Sequence, residues 1–344
     1  MNIVAEILKS GGAAVYLQRN YEVIRQVVAD SLASKGFILE PLSKAINRDW
    51  VKKLLWTALP ERQMKENGAF VYIPSGVKIY VPLTLCFVVS EGSQKVHNII
   101  VVDRGSEVTL TSACSSVNSG TTHEGYTEVF LGYGAKLHYF MTHSWMKETE
   151  VVAEKGVIAE RDSNYDYLYT CLRSPTTISS TTRAKLEKGA SASISTIYVA
   201  GSNSKSILSS SIVLAEEGSI GEIVSRIVAG RGSYISLPAE IEARVAGTRG
   251  HIECRSLQVA PDAYVETVPV LRSLSGGSQL THEAAIGKIS EEELGYLMSK
   301  GFTEEEATTL LVRGFLELGV KKIPEPLKPQ VEALMRLLAK KAIG

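Results

Sequence analysis

"GAFVYIPSGVKIYVPLTLCFVV" (residues 68–89) alternates apolar and polar residues on both sides of a tight Pro-Ser-Gly turn. Period two means strand, so the stretch reads as strand, turn, strand. The same form returns in "HNIIVVDRGSEVTLTSACSS" (97–116) and "YTEVFLGYGAKLHYFMTHSW" (126–145). Aligned on their turn glycines, Gly76, Gly105 and Gly134, the three are spaced by 29 and 29 residues. "AKLEKGASASISTIYV" and "IVLAEEGSIGEIVSRIV" carry Gly189 and Gly218, again 29 apart. "LQVAPDAYVETVPVL" repeats the form with Asp262 in the glycine's place. Gly and Asp both tolerate the left-handed backbone of a tight turn.

A fixed interval between short strands is the mark of stacked coils. One coil cannot bury its apolar face alone, and stacking creates a continuous core. A β-sandwich also has many short strands, but the regular interval favours a β-solenoid. Runs such as "SASIST" and "SILSSS" suit it, because small side chains let coils approach and turn sharply. In "ISLPAEIEARVAG" Ala239, Ile241, Ala243 and Val245 face one side. Glu240, Glu242 and Arg244 face the other, as a solvated surface with cross-strand ion pairs.

Both ends of the chain read as helical. In "AAVYLQRNYEVIRQVVADSLASKG" (13–36), Val15, Leu17, Tyr21, Ile24, Val27, Val28 and Leu32 recur at helical spacing. "PLSKAINRDWVKKLLWTAL" (41–59) sets Ile46, Trp50, Leu54 and Leu55 on one stripe. After residue 289, Ser290 with Glu293 and Thr303 with Glu306 form two capping boxes, and Gly301 stops the first helix. "KKIPEPLKPQ" is a break and "VEALMRLLAKKAIG" a last amphipathic helix. The expected organisation is an N-terminal helical region (1–67), a β core (68–287) and a C-terminal helical region (288–344). Such terminal helices serve as caps on the open strand edges of a solenoid, or as docking elements.

Lys plus Arg and Asp plus Glu both number 37. A net charge of zero argues against phosphate neutralisation on nucleic acid and against a basic membrane-surface protein. No apolar run approaches the roughly eighteen residues that span a bilayer. "MNIVAEILKSGG" has no cationic region ahead of its apolar residues, so the expected location is the cytoplasm. There is no GxxxxGK[ST], so no nucleotide site of the chain's own is expected, and no GxSxG or HExxH. The four cysteines, Cys86, Cys114, Cys171 and Cys254, form no CxxC pair and read as buried core thiols. Clustered carboxylates and a hexapeptide repeat, the marks of solenoid enzymes, are both missing. His282-Glu283 places two iron-competent ligand types side by side at the last β segment. Strand neighbours point to opposite faces, so only one of them can face a given site.

"HEAAIGKISEEELGYLMSKGFTEEEATTLLVRGF" (282–315) resembles the C-terminal signature of the SufB/SufD family, scaffold subunits of SUF iron–sulfur cluster assembly. "GAFVYIPSGVKIYVPL", "KVHNIIVVDRGSEVTLTSACSS" and "HEGYTEVFLGYGAKLHYFMTHSW" resemble its β core, in the family's order. The resemblance covers residues 68–315. It implies a right-handed parallel β-helix flanked by helical regions, with no enzymatic activity of its own. It implies pairing with a SufB/SufD-type subunit, edge to edge, as a homodimer or heterodimer. It also implies docking of a SufC-type ABC ATPase on the C-terminal helices. The implied cargo is a nascent iron–sulfur cluster, with Cys114 matching a sulfur-receiving cysteine and His282 and Glu283 matching metal-holding residues. The family's cluster cysteine before Thr267-Val268-Pro269 is replaced by Ala263. That departure points to a SufD-like or combined subunit, or to a purely structural partner without metal contact.

Overall fold

Asn20 has φ +47° and turns the chain back on itself, pairing β1 (Ala14–Arg19) antiparallel with β2 (Glu22–Val28). The helix expected over residues 13–36 is therefore a hairpin followed by a single turn, α1 (Asp30–Ala33). Ala14 and Tyr16 of β1 join the solenoid core and Gln18 is buried, a period of two that the helical count overlooks, although Val15 is buried as well. After β3 (Ile38–Pro41), the expected second helix is two one-turn pieces, α2 (Leu42–Ala45) and α3 (Asp49–Lys52). The expected stripe still packs: Ile46, Leu54 and Leu55 lean on a cluster of Leu42, Ala45, Val51, Phe70 and Ile99. Trp50 meets Phe70 and Tyr72 edge-on.

The computed structural model describes residues 13–59, 67–317 and 328–341. The N-terminal "MNIVAEILKSGG" and most of the Pro-rich break at 321–330 lie outside the described residues.

From Ala69 to Lys288 the chain winds as a β-solenoid of about eight turns. Its strands are β4 (Ala69–Ile73), β5 (Lys78–Val89), β6 (Ser93–Val102), β7 (Glu107–Ser116), β8 (Thr122–Leu131), β9 (Lys136–Ser144), β10 (Glu150–Ala159), β11 (Asn164–Arg173), β12 (Thr177–Leu186), β13 (Ser191–Ala200), β14 (Lys205–Leu214), β15 (Ile220–Ala229), β16 (Tyr234–Ala243), β17 (Arg249–Gln258), β18 (Tyr264–Ser273) and β19 (Gln279–Lys288). Odd strands from β5 to β19 stack in parallel, with β1 and β2 added beyond β5, as a ten-stranded sheet. Even strands from β4 to β18, with β3, make the facing nine-stranded sheet.

The repeat follows from turn chemistry. Gly76, Gly105, Gly134, Gly189 and Gly218 all have φ between 64° and 77°. Added Cβ atoms at Gly76, Gly105 and Gly134 would meet nothing, so the demand there is conformational, not steric. Asp162, at φ +58°, holds the same place between Gly134 and Gly189, whereas Asp262 does not have a positive φ. Small residues close the corners: Ser163, Ser204, Ser219 and Ser233 each donate a hydroxyl to a carbonyl three residues back, at 2.6–2.8 Å.

Register stacks like on like. Leu110, Tyr139, Tyr167, Ile194, Ile223 and Ile252 form one inward column, each paired with the next. All six are buried. Each such side chain contributes about 1.5–3 kcal/mol by leaving water.

The C-terminal helices are α4 (Glu291–Ser299), α5 (Glu304–Glu317) and α6 (Lys328–Lys341). They do not cap the solenoid's end. Val312, Leu316, Val331, Met335 and Leu338 pack on Leu168, Ile197, Val199 and Val228, the outer face of the ten-stranded sheet. Among the described residues nothing covers the last coil, β18 with β19, where Tyr264, Val268 and Ile286 are exposed. Glu306 accepts from the Thr303 backbone N–H at 2.9 Å while the Thr303 hydroxyl accepts from Glu306 N–H at 3.2 Å, closing the second capping box.

Candidate functional site

The sequence-derived site residues fall in two places. Cys114 is in β7, inside the solenoid, and His282 and Glu283 are in β19 at its open end. Six strand spacings, about 29 Å, separate them. The structure does not bring the three together.

Cys114 borders a cavity of about 30 Å³, shared with His123, His143, Lys155, Tyr167 and Tyr169. That is room for one or two water-sized groups. Cys114 and His143 are register partners on β7 and β9. Burial pushes the Cys114 thiol up to about 12, the nearby Cys86 adds to the rise, and Lys155 opposes it. Burial also brings Lys155 down to about 7, so its amine sits near neutrality at physiological pH. Its Nζ lies 4.4 Å from the Tyr139 ring centre and 3.9 Å from that of Tyr167. Two ring faces give the cation favourable contact that burial otherwise removes.

Burial disfavours the charged form of both imidazoles. Burial brings His123 down to about 4 and His143 well below its ordinary value. The Gln94 amide nitrogen donates to the carbonyls of Asn20 and Val88, so its Oε1 must face His123. His123 Nδ1–H donates to that oxygen at 2.9 Å, which leaves Nε2 with its lone pair. His143 Nδ1 lies 3.0 Å from the Tyr169 hydroxyl. Trp145 sits against both rings, 5.0 and 5.1 Å away, and its buried indole N–H has no partner among the described residues. Sequence reading missed this cluster, although a signal was present. Cys114 and His143, like Gln94 and His123, are 29 residues apart, one coil period.

At the open end, His282 and Glu283 point to opposite faces. His282 is the next rung after Ile252 on the inward column. It makes no hydrogen bond with the described residues and is exposed. Glu283 lies on the outer face opposite Glu253, and accepts from Arg255 Nη2 at 3.2 Å. Ala263, in the place of the family's thiolate, is 7% exposed, and its carbonyl accepts from Gln258 Nε2 at 2.7 Å. Among the described residues, no three His, Cys, Asp or Glu side chains gather into a metal site.

Among the described residues the fold is a β-solenoid with a polar cluster inside its coils and an exposed last coil. Residues 87–315 match the family model "SUF system FeS cluster assembly, SufBD core domain". An "Iron-sulfur cluster assembly SufBD family protein" of Archaeoglobus fulgidus is 32% identical, the match covering 97% of this chain and 91% of that one. A relative with the same family description in Methanothermobacter thermautotrophicus is 29% identical, covering 93% of this chain and 82% of that one. One in Staphylococcus saprophyticus is 24% identical, covering 96% and 75%. The chain belongs to the SufBD family of iron–sulfur cluster assembly proteins. No helix among the described residues is long and apolar enough to cross a membrane.

Proposed function

We propose that this chain is a cytoplasmic scaffold subunit that pairs through its open end with a second SufB/SufD-type subunit. The observation that carries the reading is β19 itself. Among the described residues it is an edge strand paired only with β17, with nine of its ten residues exposed, and it bears His282 and Glu283. Unpaired strand edges recruit other strands. A second subunit brings further ligands to a site that one chain leaves incomplete.

A SufC-type ABC ATPase docks on the C-terminal helices. α4 buries no residue, and Tyr296 and Met298 on α4, Phe302 in the connection and Leu310 on α5 are all exposed. The ATPase supplies the phosphate loop, for which this sequence has no GxxxxGK[ST] motif. Cys114 accepts sulfane sulfur from a donor persulfide. Its sulfur bonds to the donor's outer sulfur, the donor's S–S bond breaks, and the thiol proton leaves with the donor's thiolate, while Lys155 opposes the rise of the Cys114 thiol. Iron and sulfur are cargo, held in passing where the partner meets the open end, by His282 on the inner face and Glu283 on the outer face, each with groups of the partner. Ligand exchange at iron requires neutral imidazole and ionised carboxylate, so loading weakens at low pH.

The test is co-expression with the ATPase and a second SufB/SufD-type subunit. A complex that forms with the intact chain and is lost with Phe302→Glu supports the reading, and equal recovery of both contradicts it. Ala263 favours one second reading, a structural partner without metal contact. Anaerobic titration of iron and sulfide into the assembled complex separates the two. Glu283→Ala lowers uptake in the first reading and leaves it unchanged in the second.

A further inference from the structure

We propose that Arg255 gates Glu283: its guanidinium occupies that carboxylate in the free chain and yields it to a divalent cation by falling back on Glu253. The proposal rests on the reading of Glu283 as an iron ligand.

Four alternating charges line the outer face of β15, β17 and β19. Arg226 is in register with Arg255, and Glu253 with Glu283. At the inner end, Arg226 Nη2 donates to Glu253 Oε1 at 2.5 Å, and both side chains are buried. Arg226 Nη1 also donates to the Ser225 carbonyl at 3.2 Å. At the outer end, Arg255 spans both acids. Its Nε is 3.1 Å from Glu253 Oε1, and its Nη2 is 3.2 Å from Glu283 Oε2. Arg255 is half-exposed and Glu283 is 61% exposed, so this end of the ladder is free to rearrange.

Two carboxylates directly opposite across a strand pair repel. Arg255 is the cation that holds Glu253 and Glu283 side by side at the open edge. A divalent ion arriving at Glu283 meets that cation and competes with it for the same oxygens. Arg255 need not enter solvent when displaced, because its contact to Glu253 already exists. Glu253 stays fixed, because the buried Arg226 holds it independently. The exchange is therefore confined to one half-exposed side chain and disturbs nothing in the core. Exposed ion pairs are weak, so the gate is a modest one, worth about three- to tenfold in cation affinity.

The experiment is equilibrium dialysis of Co(II), an air-stable probe of nitrogen and oxygen ligands, against the intact chain near neutral pH. Arg255→Met is expected to bind Co(II) about three- to tenfold more tightly, Glu283→Gln more weakly, and the double variant like Glu283→Gln. Arg255→Gln is measured alongside, so that a folding defect in one variant does not decide the outcome. Unchanged or weaker binding in both Arg255 variants, with Glu283→Gln still impaired, overturns the gate and leaves the iron reading standing. Glu283→Gln binding like the wild type removes Glu283 as a ligand, and the gate falls with it.

Discussion

Ile252 and His282 are register partners on adjacent strands, the first closed in the core and the second open to solvent. The column that packs the solenoid thus ends in an imidazole where the next coil would begin. His282→Ala removes no buried contact, so its unfolding free energy should stay within about 0.5 kcal/mol of wild type. Cluster formation in the assembled complex should nevertheless be lost. Urea unfolding and anaerobic reconstitution check the two halves. A large loss of stability would mean that His282 is a packing residue.

Stability should climb with pH from about 4 to about 9 and fall beyond. His123 and His143 take up protons less readily folded than unfolded, so between about pH 4 and 6.5 acid favours the unfolded chain. Lys155, down at about 7, does the same up to its unfolded value near 10.5. Above pH 9 the sign reverses, because Cys86 and Cys114, raised to about 12, keep protons that the unfolded chain gives up. Between pH 7 and 9 the Lys155 contribution is on the order of 2–3 kcal/mol. Lys155→Met should flatten that part of a denaturation-versus-pH curve. An unaltered slope would contradict the assignment.

Glu128 is fully buried and pins the segment before residue 60 to the sheet. It accepts from the backbone N–H groups of Trp56 at 2.6 Å and Ala58 at 2.7 Å, and lies 2.9 Å from His97 Nε2. Trp56 stacks on that imidazole at 4.1 Å. Glu128→Ala strands the buried His97 ring and two partly buried backbone N–H groups, at a cost of about 3 kcal/mol. The denaturant midpoint should drop accordingly, with faster amide exchange at residues 53–59. A midpoint close to wild type would show that water replaces the carboxylate without loss.

Phe302 and Leu310 are exposed, while Val312 and Leu316 hold α5 on the sheet. Phe302→Glu and Leu310→Glu should leave the unfolding midpoint unchanged and weaken ATPase binding at least tenfold by calorimetry. Val312→Asp should instead destabilise the chain, because it buries a charge against Val228 and Leu316. Deleting residues 288–344 would confound the two effects by uncovering Leu168, Ile197 and Val228.

The solenoid was legible because a tight turn needs a left-handed residue once per coil, and glycine marks it. Asp162 keeps the frame without that mark, so the coil between Gly134 and Gly189 went unseen. Residues 13–28 misled because Val15, Leu17, Ile24 and Val27 fit a helical count by accident. The turn at Asn20 and the buried Gln18 carry the true period. His282 and Glu283 stood out as neighbours, and strand alternation correctly set them on opposite faces. The Cys114 cavity did not stand out, because only stacking brings His123, His143 and Lys155 together around the thiol.

Amide hydrogen exchange across β19 tests the central claim most directly. The strand should exchange rapidly along its open side in the chain alone, and become strongly protected when a SufB/SufD-type partner is added. Protection elsewhere with β19 unchanged would place the partner on another surface and contradict the proposed assembly site.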